Sequence, residues 1–180
     1  MSEREFIPLS IAVLTVSDTR TPDDDRSGDT LVERLEGAGH RLGDRRIVPD
    51  DVEAIRAAVL GWSRDPGIDV VITTGGTGFT GRDVTPEALE PIFDKRMDGF
   101  SIVFHRISFE KIGVSTIQSR ATAGVVNATF VFALPGSPGA CRDGWDGILA
   151  AQLDYRHRPC NFVEIMPRLD EHLRRGGLSA

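Results

Sequence analysis

The sequence predicts an α/β protein with three layers, α/β/α, around a mostly parallel central sheet that carries one antiparallel hairpin. Short apolar runs rich in β-branched residues alternate with segments of helical period, which is typical of β-α-β units. Two of these runs end in glycine-rich segments, as strands do at the ligand-binding edge of an open sheet. The length of 180 residues fits one domain. We expect residues 1–180 to form that domain, with an ordered core over about residues 8–170.

The composition excludes several classes of protein. The chain is 40% hydrophobic and 27% charged, which is an ordinary composition for a globular protein. No run of about 18 apolar residues occurs and the N-terminus lacks an apolar signal segment, so we expect a cytoplasmic protein with no membrane contact. A net charge of −6 without a basic block argues against a nucleic-acid partner. Cys141 and Cys160 are too few and too far apart for a metal site.

The first β-α unit places a strand in the centre of the sheet. Leu9–Val16 is a mostly apolar run, and it ends at Ser17 and the carboxylate of Asp18. Residues 21–29 are rich in Asp and predict a loop. A helical period begins at Asp29 and stops at Gly39, a residue type favoured just beyond a helix C-terminus. The apolar positions of that helix are Leu31, Val32, Leu35 and Ala38.

The second unit contains a carboxylate with two competing roles. Residues 45–50 predict a short strand, and Pro49 restricts it to an edge or a terminus of the sheet. An amphipathic helix follows at once. Either Asp50 or Asp51 suits its N-cap, so the residues alone leave Asp50 divided between cap and ligand. The apolar face of this helix comprises Val52, Ile55, Val59 and Trp62.

The third strand, residues 70–73, runs into a glycine-rich segment that we predict to bind phosphate groups. Its β-branched residues suit a strand buried on both faces, and the glycines after it let backbone amides approach a ligand closely. Asp83 follows, and Thr85 and Pro86 are expected to start a helix as N-cap and first residue. The competing interpretation is an ordinary turn between strand and helix.

Two other nucleotide-binding motifs fit this segment less well. Gly76, Gly78 and Gly81 match G-x-G-x-x-G, but a dinucleotide site needs a helix opening within the glycines and an acidic residue at a strand end roughly 20 residues on. Asp94 and Asp98 lie at that distance within a helical pattern instead. A Walker A loop is excluded because no Gly-Lys-Ser/Thr sequence follows.

The middle of the chain predicts two helices. The first covers residues 86–97, and Pro91 should kink or divide it. The second runs over about residues 100–112 and stops at Gly113. His105 has no partner at ligand spacing, so we assign it to packing or to the surface, like the other histidines. The residues of the second helix that are spaced to face the core are Phe100, Val103, Phe104 and Ile107.

Two further strands, residues 116–126 and 129–134, are predicted to form a hairpin. Asn127 and Ala128 form the turn, and Asn tolerates the backbone conformation that such a turn needs. The hairpin adds an antiparallel element to an otherwise parallel sheet. Ser119 and Arg120 lie within the first of these strands, and either an anion contact or a surface ion pair fits them.

A second glycine-rich junction follows the last strand at residues 134–139. Ser137 as N-cap and Pro138 at the first helical position start a helix whose free amides face the same crevice as the first segment. Gly139, Gly144 and Gly147 weaken this helix by about 1 kcal/mol each relative to Ala, which indicates close packing within the chain or against another subunit. We expect the tail, residues 173–180, to be frayed.

Five motifs in this order resemble the MoaB/MogA family of molybdenum cofactor biosynthesis proteins, and the segments 5–8, 118–121 and 158–162 resemble its MoaB branch. The resemblance covers nearly the whole chain. It implies a molybdopterin-binding fold that assembles as a trimer or a hexamer. It also implies transfer of AMP from Mg-ATP to the phosphate of molybdopterin, with release of pyrophosphate, before a partner protein inserts molybdate. The motifs are Leu14–Asp18, Thr73–Gly78, Arg82–Pro86, Ser119–Ala121 and Leu134–Pro138.

The resemblance also implies which residues act. Asp50 and Asp83 match two family aspartates required for the transfer, which favours function over capping at Asp50, and carboxylates suit Mg²⁺. The alternative is a molybdopterin-binding or scaffolding oligomer without catalysis. A dinucleotide-dependent oxidoreductase ranks third. The expected substrate- and phosphate-binding residues are Ser17, Thr74, Gly75, Gly76, Thr77, Gly78, Ser119, Arg120, Pro135, Gly136 and Ser137.

Overall fold

The computed structural model describes residues 4–172 and contains one sheet of six strands. The strand order is β2-β1-β3-β6-β5-β4. The first four of these strands are parallel to one another, and β5 is antiparallel to both of its neighbours. The predicted frayed tail lies outside the described residues. The strands are β1 (Ser10–Val16), β2 (Arg41–Val48), β3 (Val70–Thr74), β4 (Lys95–Arg96), β5 (Thr122–Val126) and β6 (Thr129–Leu134).

Helices cover both faces of the sheet, which confirms the three-layer α/β/α prediction. A π-helical segment at residues 145–149 joins α5 to α6, and 3₁₀ turns lie at residues 90–92, 113–118 and 166–168. No helix within residues 4–172 is long and apolar enough to cross a membrane. The helices are α1 (Arg26–Gly37), α2 (Val52–Ser63), α3 (Thr85–Leu89), α4 (Asp98–Ile112), α5 (Pro138–Gly144), α6 (Ala150–Gln152) and α7 (Phe162–Ile165).

Two cores lie on opposite faces of the sheet because side chains alternate along each strand. Ile11 and Val13 of β1 pack with α1, α4 and the α5–α6 segment, whereas Leu14 packs with α2 and α3. All three side chains are fully buried. β2 is only partly buried and forms an edge of the sheet, as Pro49 predicted, but it covers residues 41–48 rather than the predicted 45–50.

The hairpin prediction is confirmed at its turn and wrong at its first strand. Asn127 and Ala128 both adopt positive φ, +46° and +63°, as a tight turn between antiparallel strands requires. The strand before them begins only at Thr122, because residues 113–118 form a 3₁₀ turn. Ser119 and Arg120 therefore precede the strand.

Several helix boundaries differ from the predictions for identifiable reasons. α1 begins at Arg26 rather than at Asp29, because the Asp25 carboxylate caps it by accepting from the Gly28 amide. α3 begins at Thr85 with Val84 as N-cap, so the capping role predicted for Thr85 is wrong. The helix predicted up to residue 97 ends at Leu89, since residues 95–96 pair with β5.

One packing prediction is wrong, and another is confirmed at two of its three glycines. Val103 of α4 is 45% exposed rather than part of the core. A side chain at Gly144 would meet Leu134, and one at Gly147 would meet Ile107. Both glycines are therefore explained by close packing within this chain, whereas a side chain at Gly139 would meet open space.

Candidate anion-binding site

The carboxyl ends of the four parallel strands lie at one edge of the sheet and position the candidate site. Ser17 follows β1, Asp50 follows β2, and a loop of residues 75–84, called the glycine loop below, follows β3. Residues 135–137, called the proline loop, follow β6. The sheet thus brings together four segments that the sequence analysis singled out separately.

Glycine is required where the two loops approach each other. Gly75 and Gly76 adopt φ values of +102° and +64°, which L side chains rarely adopt. A Cβ atom on Gly75 would lie 2.2 Å from the carbonyl oxygen of Val16, and one on Gly136 would lie 3.1 Å from the Cα atom of Gly75. The absence of side chains therefore lets the ends of β1, β3 and β6 meet.

In the glycine loop, successive carbonyl groups accept hydrogen bonds from the protein. The Gly75 carbonyl accepts from the hydroxyl of Thr85 at 2.9 Å, and the Gly76 carbonyl accepts from the Thr85 amide at 2.9 Å. The Thr77 carbonyl accepts from the amide of Arg120, and the Gly78 carbonyl accepts from its Nε, both at 2.9 Å. Two residues far along the chain thus fix four peptide groups.

The proline loop is fixed in the same way. The Pro135 carbonyl accepts from the Thr74 hydroxyl at 2.9 Å, and the Gly136 carbonyl accepts from the Ser27 hydroxyl at 3.2 Å. The Ser137 side chain accepts from the Ala140 amide and caps α5, as predicted. Pro138 is the first residue of that helix.

These anchored carbonyls determine where the amides point. In a planar trans peptide, the N–H of the following residue points opposite to the C=O group. The amides of Gly76, Thr77, Gly136 and Ser137 therefore point away from the groups that hold the loops. Within residues 4–172, none of these four amides donates a hydrogen bond to the protein. Backbone amides without a partner in the protein are suited to bind phosphate oxygens.

Asp50 lies beside the glycine loop, and Asp83 lies within it. Asp51, not Asp50, caps α2 by accepting from the Ala54 amide at 2.8 Å, so the capping role considered for Asp50 is wrong. The Asp50 carboxylate lies 3.0 Å from the position that a Cβ on Gly76 would take, and the Asp83 carboxylate lies 2.8 Å from the equivalent position on Gly78.

The two carboxylates have opposite electrostatic environments. Burial raises the pKa of Asp50 above its ordinary value, and the charges of Asp18 and Asp83 raise it further. Burial alone would also raise the pKa of Asp83. Hydrogen bonds from the Thr80 hydroxyl at 2.7 Å and the Thr80 amide at 2.8 Å outweigh burial, so the pKa of Asp83 is lowered.

Arg120 contacts the glycine loop rather than standing free. Its Nε and Nη2 atoms donate to the carbonyls of Gly78 and Asp83 at 2.9 and 3.1 Å, and Nη1 pairs with Glu87. Its guanidinium also lies 5.3 Å from the centroid of the Phe79 ring. The ion pair that the sequence analysis gave as one alternative for Arg120 is present, formed with Glu87, and Arg120 stabilises the glycine loop.

Two other predicted residues use their side chains within the protein, and a third makes a contact through its backbone. The Thr74 hydroxyl is fully buried and faces the proline loop. The Ser17 hydroxyl accepts from the amides of Thr19 and Arg20, which closes its own loop. The carbonyl of Ser119 contacts Nε2 of His105 at 3.0 Å, whereas its hydroxyl has no hydrogen-bond partner among the described residues.

Some residues of the site were not selected from the sequence. Asp18 accepts from the Asp50 amide at 3.1 Å and pairs with Arg82 across the mouth of the site. A cavity of about 620 Å³ opens beside Ser17 and Asp18.

The position of Asp18 directly after a central strand was the sequence signal that could have identified it as a site residue. The role of Thr85 was hidden because its residue type also suits a helix cap.

The donor set fits Mg²⁺ held jointly by protein and substrate. Within residues 4–172, no group of three His, Cys, Asp or Glu side chains has a metal-binding arrangement. Mg²⁺ commonly takes one or two protein carboxylates together with phosphate oxygens and water. Asp50 and Asp83 supply such a pair. Burial is the main cause of the raised pKa of Asp50, and a cation would relieve the repulsion from Asp18 and Asp83 that adds to it.

Comparison with known proteins identifies the family of the chain. Residues 12–155 match the family model described as "Probable molybdopterin binding domain". The chain belongs to this family. It is 53% identical over 158 residues to molybdenum cofactor biosynthesis protein B of Escherichia coli K12, covering 88% of this chain and 93% of that protein.

Solved structures of family members share the fold. A crystal structure of a molybdenum cofactor biosynthesis protein B superposes with a TM-score of 0.82 at 37% identity, covering 95% of this chain and 99% of the other. The tungsten cofactor synthesizing protein MoaB of Pyrococcus furiosus gives 0.72 at 38% identity, covering 79% and 91%. The predicted resemblance to the MoaB branch is confirmed.

Proposed function

We propose that this protein acts in molybdenum cofactor biosynthesis by binding molybdopterin and transferring AMP from Mg-ATP to its phosphate, ahead of molybdate insertion by a partner protein. The family match and the names of its relatives support the pathway and the pterin. The observation that carries the transfer step is the arrangement of outward amides on two loops with Asp50 and Asp83 beside them.

The transfer joins two anions and needs fixed positive dipoles. An oxygen of the pterin phosphate attacks the α-phosphorus of ATP, a new P–O bond forms, and the bond to the bridging oxygen breaks as pyrophosphate leaves. Mg²⁺, when bound, offsets the negative charge of the phosphates. The amides of Gly76, Thr77, Gly136 and Ser137 orient the phosphate oxygens, and their anchored carbonyls keep them from turning during the reaction.

Release of pyrophosphate tests this function directly. The purified protein, incubated with molybdopterin, ATP and Mg²⁺, should release pyrophosphate, and omission of either molybdopterin or Mg²⁺ should abolish the release. Saturable molybdopterin binding without pyrophosphate release would instead establish the non-catalytic binding protein. Submillimolar binding of NAD(P), without binding of molybdopterin, would show that the ligand is a dinucleotide rather than a pterin.

We further propose that the protein is a homo-oligomer, either a trimer or a hexamer. The resemblance to the family supports assembly, and so does a patch of exposed apolar side chains on α4 and the turn after it. Monomers rarely expose such patches without a partner. The patch comprises Ile102 at 69% exposure, Phe109 at 55%, Ile112 at 56%, Val114 at 72% and Ile117 at 71%.

Light scattering at micromolar concentration tests the assembly. We expect a mass above that of the monomer, and we expect Phe109→Ser to lower it. Ile165→Ser is a matched control, because Ile165 is 42% exposed but lies outside the patch. A wild-type monomer that is independent of dilution would refute the oligomer.

A further inference from the structure

Two adjacent threonines at the end of β3 use their hydroxyl groups differently. Thr73 and Thr74 are both fully buried, and they point to opposite faces of the sheet because side chains alternate. The hydroxyl of Thr74 donates to the Pro135 carbonyl at 2.9 Å. The hydroxyl of Thr73 has no partner among the described residues. The pair therefore offers a bonded and an unbonded hydroxyl at neighbouring positions of one strand.

The Thr74 hydroxyl is held from two sides. The Sγ atom of Cys141 lies 3.2 Å from its oxygen. Burial raises the pKa of the Cys141 thiol to about 11, so the thiol keeps its proton at neutral pH and can donate to the Thr74 oxygen. The hydroxyl hydrogen of Thr74 is then directed to the Pro135 carbonyl, which also lies within reach of the Cys141 thiol, 3.8 Å from its Sγ atom.

The next carbonyl of the proline loop is held by α1. Ser27 donates from its hydroxyl to Gly136 at 3.2 Å. Its position is fixed by Asp25, which is 1% exposed, caps the helix and also accepts from the Thr15 hydroxyl at 2.7 Å. Hydroxyl groups on β3 and α1 thus hold two successive peptide groups of the proline loop.

We propose that Thr74 and Ser27 are positioning residues that aim the amides of Gly136 and Ser137 at a phosphate group. Neither hydroxyl needs to touch the ligand, because each fixes the carbonyl half of a peptide whose other half faces the site. The inference rests on the proposed function, in which the proline loop binds phosphate. It assigns the Thr74 side chain to the loop rather than to the substrate.

Binding of inorganic pyrophosphate in the presence of Mg²⁺, measured by calorimetry, provides the test. Thr74→Val replaces the hydroxyl with a methyl group of similar shape without changing charge, and it should weaken binding by about tenfold, the scale of one lost hydrogen bond. Thr74→Ser keeps the hydroxyl and should restore binding. Thr73→Val is the matched control and should bind like the wild type. Ser27→Ala should weaken binding in the same direction as Thr74→Val.

Amide NMR separates positioning from general damage. The resonances of Gly136 and Ser137 should shift in Thr74→Val and stay in place in Thr73→Val. If Thr74→Val does not fold, Ser27→Ala decides by the same two measurements. Wild-type affinity in both Thr74→Val and Ser27→Ala would overturn this inference while leaving the proposed function intact. No pyrophosphate binding by the wild type would count against the phosphate site itself and therefore against both.

Discussion

The loops after β2 and β3 each present an aspartate to the same site, and the protein treats the two charges in opposite ways. Asp83 accepts hydrogen bonds from Thr80, and its pKa is lowered. Asp50 is partly buried, lies near Asp18 and Asp83, and has a raised pKa. The fold therefore supports the charge of Asp83 and opposes that of Asp50. A carboxylate whose charge is disfavoured by its surroundings does not stabilise the fold and is therefore a candidate for a functional role.

The backbones of the two loops also differ. The glycine loop after β3 needs residues with positive φ and carries a network of anchored carbonyls. The loop after β2, residues 49–51, contains neither a glycine nor a residue with positive φ. Its role is to place Asp50 over Gly76 while Asp51 caps the next helix. Substitutions in the two loops should therefore have different consequences.

The largest effect on stability is expected for Gly75→Ala. Its Cβ would clash with the Val16 carbonyl in a backbone conformation that Ala rarely adopts, so we expect a loss of about 3 kcal/mol or more in the free energy of unfolding. Gly81→Ala in the same loop should change it by less than about 1 kcal/mol, since a Cβ there meets nothing within 4 Å. Urea denaturation measures both. Equal losses would show that the strain at Gly75 is not what fixes the loop.

The largest effect on activity is expected for Asp83→Asn and Asp50→Asn. Each variant keeps the shape of the side chain and removes a charge that a hard cation needs, so pyrophosphate release should fall by at least about a hundredfold. Binding of the pterin phosphate should stay the same or tighten, because one anion has left an anion site. Asp65→Asn, before β3 at the opposite edge of the sheet, should leave the rate unchanged. Near-full activity of Asp83→Asn would refute its role in holding the metal.

The sequence predicted the parts of the fold that depend on local patterns. Strands β1, β3 and β6 followed from apolar runs, the hairpin turn from Asn127, and the cap of α5 from Ser137, because each signal lies within a few residues of its structure. The segment at residues 95–96 was wrongly predicted as helix, since its pairing with β5 is a long-range contact. Local propensity does not record such pairings.

The site was predictable as a set of loops but not as a set of contacts. Parallel strands ending in glycine and aspartate indicated one edge of the sheet. The contacts of Thr85 with Gly75 and of Arg120 with Gly78 join residues separated by 10 and 42 positions, and no periodicity reports them. The inward direction of the Thr74 hydroxyl likewise depends on where the proline loop lies.

The smallest predicted effect is on the free energy of unfolding. It is the sharpest test of the comparison between the two aspartates, because the two substitutions should change that free energy in opposite directions. At pH 7, Asp50→Asn should raise the free energy of unfolding and Asp83→Asn should lower it, each by less than about 1 kcal/mol, since solvent screens both partly exposed groups. Paired urea denaturations of both variants and the wild type measure the difference.

The dependence on pH follows from the two pKa shifts. Because the folded pKa of Asp83 is lowered, its stabilisation is present above the unfolded pKa and is lost as the pH falls through the folded value. The folded pKa of Asp50 is raised, so its destabilisation is absent below the unfolded pKa and grows as the pH rises through the folded value. The effect of Asp50→Asn should therefore vanish first as the solution is acidified, and that of Asp83→Asn at a lower pH. If both variants lose stability at pH 7, Asp50 is held by contacts that its raised pKa does not reflect, and the contrast between the two loops is wrong.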